Sequence, residues 1–132
     1  MVTAIDTSIL LDILLDDPQH SVKSLELLES ALADGRVIAC PVVCAELRPL
    51  FETDTELIQR LREMSVEFDE IGRDSSLLAG QIWKQYRKNG GKKSRVLADF
   101  LIGAHATAKS ERLLTRDRGY YRQYFKKLKI MN

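Results

Sequence analysis

Cysteine is scarce: Cys40 and Cys44 are the only two in 132 residues, four apart in an apolar stretch. So low a count excludes a secreted disulfide scaffold, and two small hydrophobes in a reducing compartment are expected instead. The only histidines, His20 and His105, are far apart in sequence and complete no four-ligand zinc set with the cysteines. No apolar run approaches the roughly 18 residues that cross a bilayer. Met1-Val2-Thr3-Ala4-Ile5-Asp6 has no basic start and meets an acid at once, unlike a secretory signal. A cytoplasmic protein is expected. Repeats, low-complexity tracts and linkers are also missing, so residues 1–132 read as one domain.

What is present is an ordinary globular balance, 45% hydrophobic and 30% charged, with an uneven spread of charge. Residues 1–74 hold six basic and sixteen acidic side chains, and residues 75–132 hold fourteen basic and three acidic. The net charge of +1 therefore conceals halves of −10 and +11. Between Asp74 and Asp99 there is no acid, but Lys84, Arg87, Lys88, Lys92, Lys93 and Arg95 all occur. Such polarity suits a polyanion, most simply nucleic acid, or helices whose Lys and Arg pair with acids of the first half.

Short apolar runs alternate with longer helical patterns. Val2–Ile5, Val37–Cys40, Val66–Phe68, Leu113–Thr115 and Leu128–Ile130 read as strands without polar alternation, as in sheets buried on both faces. Helices are expected from Thr7 to Leu15, from a capping Ser21 to Asp34 with Leu25, Leu28 and Leu32 on one stripe, from Pro41, and over 54–64, 74–88, 95–109 and 119–125. Pro49 interrupts the stretch that begins at Pro41. The order predicts an α/β fold, a three-layer α/β/α sandwich around a short, mostly parallel central sheet.

Sites in such folds gather at the carboxyl ends of the strands. Asp6 follows the first strand directly, and Asp117 comes just after the fourth. Glu46 lies on the helix after the second strand, and Asp99 sits in Val96-Leu97-Ala98-Asp99-Phe100-Leu101-Ile102, an otherwise apolar helix. A carboxylate in such a helix is costly unless compensated. Two like charges about 4 Å apart repel by about 4 kcal/mol at an effective dielectric of about 20, so four converging acids call for a cation. Oxygen-only ligands suit Mg²⁺ or Mn²⁺ rather than zinc. Each acid also has a plainer use: Asp6 as a helix cap, Glu46 paired with Arg48, Asp99 with Arg95, Asp117 as a turn residue.

Asp6-Thr7-Ser8-Ile9-Leu10, Glu46, Asp99 and Thr115-Arg116-Asp117 together resemble the PIN-domain nucleases over essentially the whole chain. Leu97-Ala98-Asp99-Phe100-Leu101-Ile102-Gly103-Ala104-His105-Ala106 followed by Leu113-Leu114-Thr115-Arg116-Asp117-Arg118-Gly119-Tyr120-Tyr121 resembles the VapC toxins of toxin–antitoxin pairs. The resemblance implies an Mg²⁺- or Mn²⁺-dependent endoribonuclease whose acidic site is Asp6, Glu46, Asp99 and Asp117. Asp6 and Asp99 would be direct metal ligands, with Glu46 and Asp117 completing the cage or orienting water. Thr115 and Ser8 match positions where a hydroxyl supports the site. A homodimer and a small silencing antitoxin are implied as well. A non-catalytic PIN scaffold that binds RNA or a protein is the alternative.

Arg95, Arg116, Arg118 and Arg122 are the expected RNA contacts, with Tyr120, Tyr121 and Tyr124 placed to touch bases. His105 is expected to be structural, Asp12 to lie on a solvated face, Asp16 and Asp17 in a loop, and Trp83 and Tyr86 in helix packing.

Overall fold

A computed structural model describes residues 1–91 and 97–132. Its strands are β1 (Val2–Ile5), β2 (Arg36–Ala39), β3 (Val66–Phe68), β4 (Arg112–Leu114) and β5 (Lys129–Met131). They pair in the order β3-β2-β1-β4-β5, every pair parallel. Seven described helices flank them: α1 (Thr7–Leu14), α2 (Ser21–Asp34), α3 (Pro41–Leu47), α4 (Asp54–Glu63), α5 (Arg73–Lys88), α6 (Leu97–Lys109) and α7 (Arg118–Tyr124). Thr3, Ala4 and Ile5 are all buried although successive strand residues face opposite sides, so β1 is covered on both faces. The expected α/β sandwich is the fold. No described helix is long and apolar enough to cross a membrane.

The chain builds outward from β1 through β2 to β3, then returns to β1's other side as β4 and β5. The order reverses between β1 and β4, the place where such sheets bind ligands at their carboxyl ends. Ile5 pairs with Leu114 at that end, and the Asp6 amide donates to the Leu114 carbonyl at 2.9 Å, carrying the pairing one residue further.

Several boundaries move by a residue, with local causes. Cys40 leaves the second strand to become the extended N-cap of α3, whose first residue, Pro41, has no amide hydrogen to lose. Thr115 stands just beyond β4, and β5 starts at Lys129. Ser21 is the first residue of α2 rather than its cap, and no side chain caps that helix. Asp17 instead accepts the amides of Gln19 and His20 at 2.9 and 2.8 Å. The buried stripe of α2 is Ser24, Leu28 and Ala31, while Leu25 is exposed. Pro49 does end α3, in a short 3-10 turn over Arg48–Leu50. The expected start of the Asp99 helix at Arg95 lies outside the described residues.

α6 carries the tightest packing. It lies against β1, β4 and α5, and buries Phe100, Ile102, Ala104, His105 and Ala106. Phe100 meets Tyr86 and Tyr120 edge-on, with ring centroids 5.3 and 5.4 Å away. Tyr86 is buried in this cluster, as expected for helix packing. Gly103 lets α6 approach α7, because a Cβ there would run into the Phe125 ring. His105 is fully buried, with Nε2 2.7 Å from Asp69 Oδ2 just past β3. It ties α6 to the end of the sheet, the structural part expected of it.

Gly103→Ala should lower unfolding stability by about 1–3 kcal/mol through overpacking. Trimming the obstructing ring, as Gly103→Ala/Phe125→Leu, should recover part of the loss, with urea midpoints as the measure. Burial pushes the His105 imidazole below its ordinary value of 6.5, although its bond to Asp69 pulls the other way. Neutral His105 thus favours the fold fully above about pH 6.5, and this contribution fades as the pH falls through the lower folded-state value. Urea unfolding from pH 7 to pH 5 should show that decline, and His105→Gln should flatten it.

Candidate acidic site at the sheet's carboxyl edge

Asp6 ends the central strand and begins the next helix, so its place is set twice. Its backbone is extended, at φ −83° and ψ 155°, and Oδ1 accepts the Thr7 amide at 2.8 Å, the geometry of an N-cap. Oδ2 accepts the Thr115 hydroxyl at 2.6 Å and the Ser8 hydroxyl at 3.3 Å. Only 7% of Asp6 is exposed. Burial raises its carboxyl above the ordinary 3.8 despite these three hydrogen bonds, and the charge of Asp99 adds to the rise. Among the described residues its hydrogen-bond partners are all neutral.

The other acids arrive from separate elements. Asp99 is half-buried in the first turn of α6, where the helix dipole favours an acid. Asp117 is half-buried, and its amide donates to Thr115 Oγ1 at 3.0 Å, so Thr115 links the backbone of one acid to the carboxylate of another. Glu46 is exposed on α3 and joins through Thr7, whose hydroxyl donates to Glu46 Oε1 at 2.7 Å. Beneath them Tyr121 is 1% exposed. Its phenol is pushed far above its ordinary value, first by burial, then by the charges of Asp6 and Asp99, by Tyr120 and by Asp117.

The donor set is oxygen throughout, carboxylates and hydroxyls without thiolate or imidazole, which suits a hard divalent cation. Among the described residues no cationic side chain sits on the Asp6 carboxylate, which also fits such an ion. The side chains are neighbours rather than a closed cage: among the described residues, no three His, Cys, Asp or Glu groups are gathered closely enough to hold an ion.

Thr7 is the participant that sequence reasoning missed. Its signal was its place directly after Asp6, where a short hydroxyl on the first turn of α1 reaches α3. The expected basic and aromatic contacts divide. Arg95 and the side chain of Arg118 lie outside the described residues. Arg122 is exposed on α7. Arg116 is held by Asp12, its Nε and Nη2 donating to the two carboxylate oxygens at 2.8 and 2.9 Å. Asp12 is consequently buried, at 2% exposure, and not on a solvated face. Tyr120 and Tyr121 are also buried, packed against each other at 4.8 Å, so neither ring offers a face to a base.

The family model for the PIN domain matches residues 3–126. The chain belongs to the PIN domain family. A search of curated proteins returned no match. Among solved structures, this PIN domain is similar to VapBC2 from Rickettsia felis bound to a promoter DNA fragment, with a TM-score of 0.73 and 20% identity over 100% of this chain and 98% of the other. It is likewise similar to VapBC-1 from nontypeable Haemophilus influenzae, with a TM-score of 0.74 and 16% identity over 100% and 98%. FitAcB from Neisseria gonorrhoeae gives 0.70 and 21% over 100% and 97%. At these identities the likeness is one of fold.

Replacing the buried carboxyl should relieve the fold. Asp6→Asn keeps an oxygen for the Thr7 amide and removes a charge that burial and Asp99 both disfavour. In EDTA at neutral pH, its thermal midpoint should equal or exceed that of the parent.

Proposed function

We propose that this PIN domain is a divalent-metal-dependent endoribonuclease acting through Asp6, Glu46, Asp99 and Asp117, and that it is the toxin of a type II toxin–antitoxin pair. The observation that carries the reading is the Asp6 carboxylate, buried at the end of β1 and held by the Thr7 amide and the Thr115 and Ser8 hydroxyls, with Thr115 also taking the Asp117 amide. Asp6 and Asp99 would hold Mg²⁺ or Mn²⁺, Glu46 and Asp117 would complete its surroundings, and Thr115 and Ser8 orient the Asp6 carboxylate. When bound, the metal supplies Lewis acidity, acidifying water and drawing charge from a phosphoryl oxygen. The protein's own part is to keep Asp6 ionised and aimed through the Thr7 amide and the Thr115 hydroxyl.

Unpaired cations on α5 and after α7 support a nucleic-acid substrate. Among the described residues, Arg36, Arg48, Arg60, Arg73, Arg112 and Arg116 all pair with acids. Lys84, Arg87 and Lys88 on α5, and Lys126 and Lys127 after α7, pair with none, and all five are exposed. Gln85, Asn89, Gln123, Tyr124, Lys126 and Lys127 line one hollow between α5 and α7, a polar trough that contains no acid. A phosphate backbone fits it.

Apolar surface supports partners. A groove of about 930 Å³ runs between α3, α4 and β3, lined by Cys44, Leu57, Ile58, Leu61, Val66 and Phe68 among others. Leu15 and Val22 are also exposed, at 60% and 72%. The solved neighbours named VapBC are toxin–antitoxin complexes, and a cognate antitoxin and a second copy of the chain would cover surface of this kind.

The deciding experiment is incubation of total RNA with the purified protein and Mg²⁺ or Mn²⁺, beside EDTA and Asp6→Asn lanes. Discrete fragments that vanish in both controls are expected. Intact RNA together with absent metal binding would favour the non-catalytic PIN scaffold, which the open arrangement of the acids also allows. Mn²⁺ at a hundredfold excess over its Kd should stabilise the parent by about 2.7 kcal/mol, and Asp99→Asn should lose that gain in a thermal melt. Lys126→Ala/Lys127→Ala should weaken RNA binding and flatten the log–log salt slope by about 1.4, the share of two phosphate contacts on a single strand. An unchanged slope would remove the α5–α7 trough from the substrate path.

A further inference from the structure

Arg116 stands between two members of the acidic site and is gripped by a third element. Its two-pronged contact with Asp12, at 2.8 and 2.9 Å, reaches α1. Ser24 on α2 donates to the same carboxylate at 2.6 Å. One residue earlier, Thr115 donates to Asp6 at the cap of that same helix. One residue later, the Asp117 amide donates back to Thr115. The β4–α7 connection is therefore pinned to α1 at two points, Asp6 and Asp12, and Asp117 follows immediately.

A paired carboxylate at this depth adds little stability over a well-packed apolar side chain. A planar guanidinium on both oxygens of a carboxylate does set distance and orientation together, which a single contact or a lysine does not. We propose that Asp12, backed by Ser24, is a positioning residue that acts through Arg116 to hold Asp117 beside Asp6, and that Arg116 is a clamp and not a phosphate contact. The proposal rests on the nuclease reading above and adds two residues to it, neither of which touches the reacting atoms.

The test compares the parent with Asp12→Asn, Arg116→Lys, Arg116→Ala and Asp12→Asn/Arg116→Ala. It measures cleavage of an RNA that the parent cuts, at saturating Mn²⁺ and over a salt series, with Mn²⁺ titration calorimetry alongside. All assays are run well below the melting temperature of each variant. A clamp predicts that kcat falls about tenfold to a hundredfold, that KM and the salt slope stay near the parent's, and that the double variant is no worse than the poorer single one. Arg116→Lys keeps the charge without the fork, so it should not restore the parent's rate. Full kcat and Mn²⁺ affinity in folded Asp12→Asn would overturn the proposal. So would a defect confined to the Arg116 variants with raised KM and a shallower salt slope, which is the signature of a phosphate contact. If Asp12→Asn does not fold, Arg116→Lys decides by the same criteria. A parent that cuts no RNA but binds Mn²⁺ would sink the nuclease reading alone. The clamp then stands if Asp12→Asn weakens Mn²⁺ binding and falls if it does not. A parent that neither cuts RNA nor binds Mn²⁺ overturns both.

Discussion

Everything at the carboxyl edge of this sheet depends on burying one carboxylate, that of Asp6, at the end of the central strand. Burial disfavours its charge, and the neighbouring Asp99 disfavours it further. What holds it is a set of short, directional, neutral contacts: the first amide of α1, the Thr115 hydroxyl and the Ser8 hydroxyl. Those contacts require α1 to start where β1 stops and β4 to lie beside β1, so that Thr115 emerges opposite Asp6. The parallel order with its reversal beside β1 meets both requirements. The buried negative charge is thereby held in a fixed orientation.

Positive charge is sorted by the same architecture into two populations. Arg112 reaches Asp34 and the Thr3 hydroxyl, Arg116 takes Asp12, and Arg36 takes Glu67, each partner supplied by the acidic first half of the chain. These contacts fasten strands and loops together. The cations at the far end of α5 and beyond α7 receive no such partner among the described residues, because the nearby chain supplies no acid. The excess of +11 in the second half is thus both structural cement and an exposed basic flank, where composition had left the two uses equally open.

Local chemistry made much of the fold readable in advance. Val2–Ile5 has no polar alternation and is a strand covered on both faces. Pro41 can start a helix but not continue a strand, and Gly35 and Pro49 end elements where their backbones require it. Asp6 and Asp99 drew notice because a carboxylate next to uninterrupted apolar residues must meet something that justifies its burial. Asp6 meets the Thr7 amide and two hydroxyls, and the chemical roles of both acids stand as proposals. Asp12 misled for the opposite reason. Four residues before Asp16, Asp17 and Pro18 it looked like part of a solvated face, and the arginine that pairs with it lies 104 residues away. Tyr120 and Tyr121 misled likewise, since flanking arginines suggested a surface while both rings pack into the core.

The sequence by itself determined the alternation of strands and helices, the strand-end positions of the acids and the imbalance of charge, because these follow from hydrophobic period, turn chemistry and counting. Only the tertiary structure decided which acid is buried, which hydroxyls orient it, and which arginines are bound internally and which cations face solvent. Those outcomes depend on the packing of residues a hundred positions apart, and desolvation and hydrogen bonding act on a side chain only once its neighbours are in place.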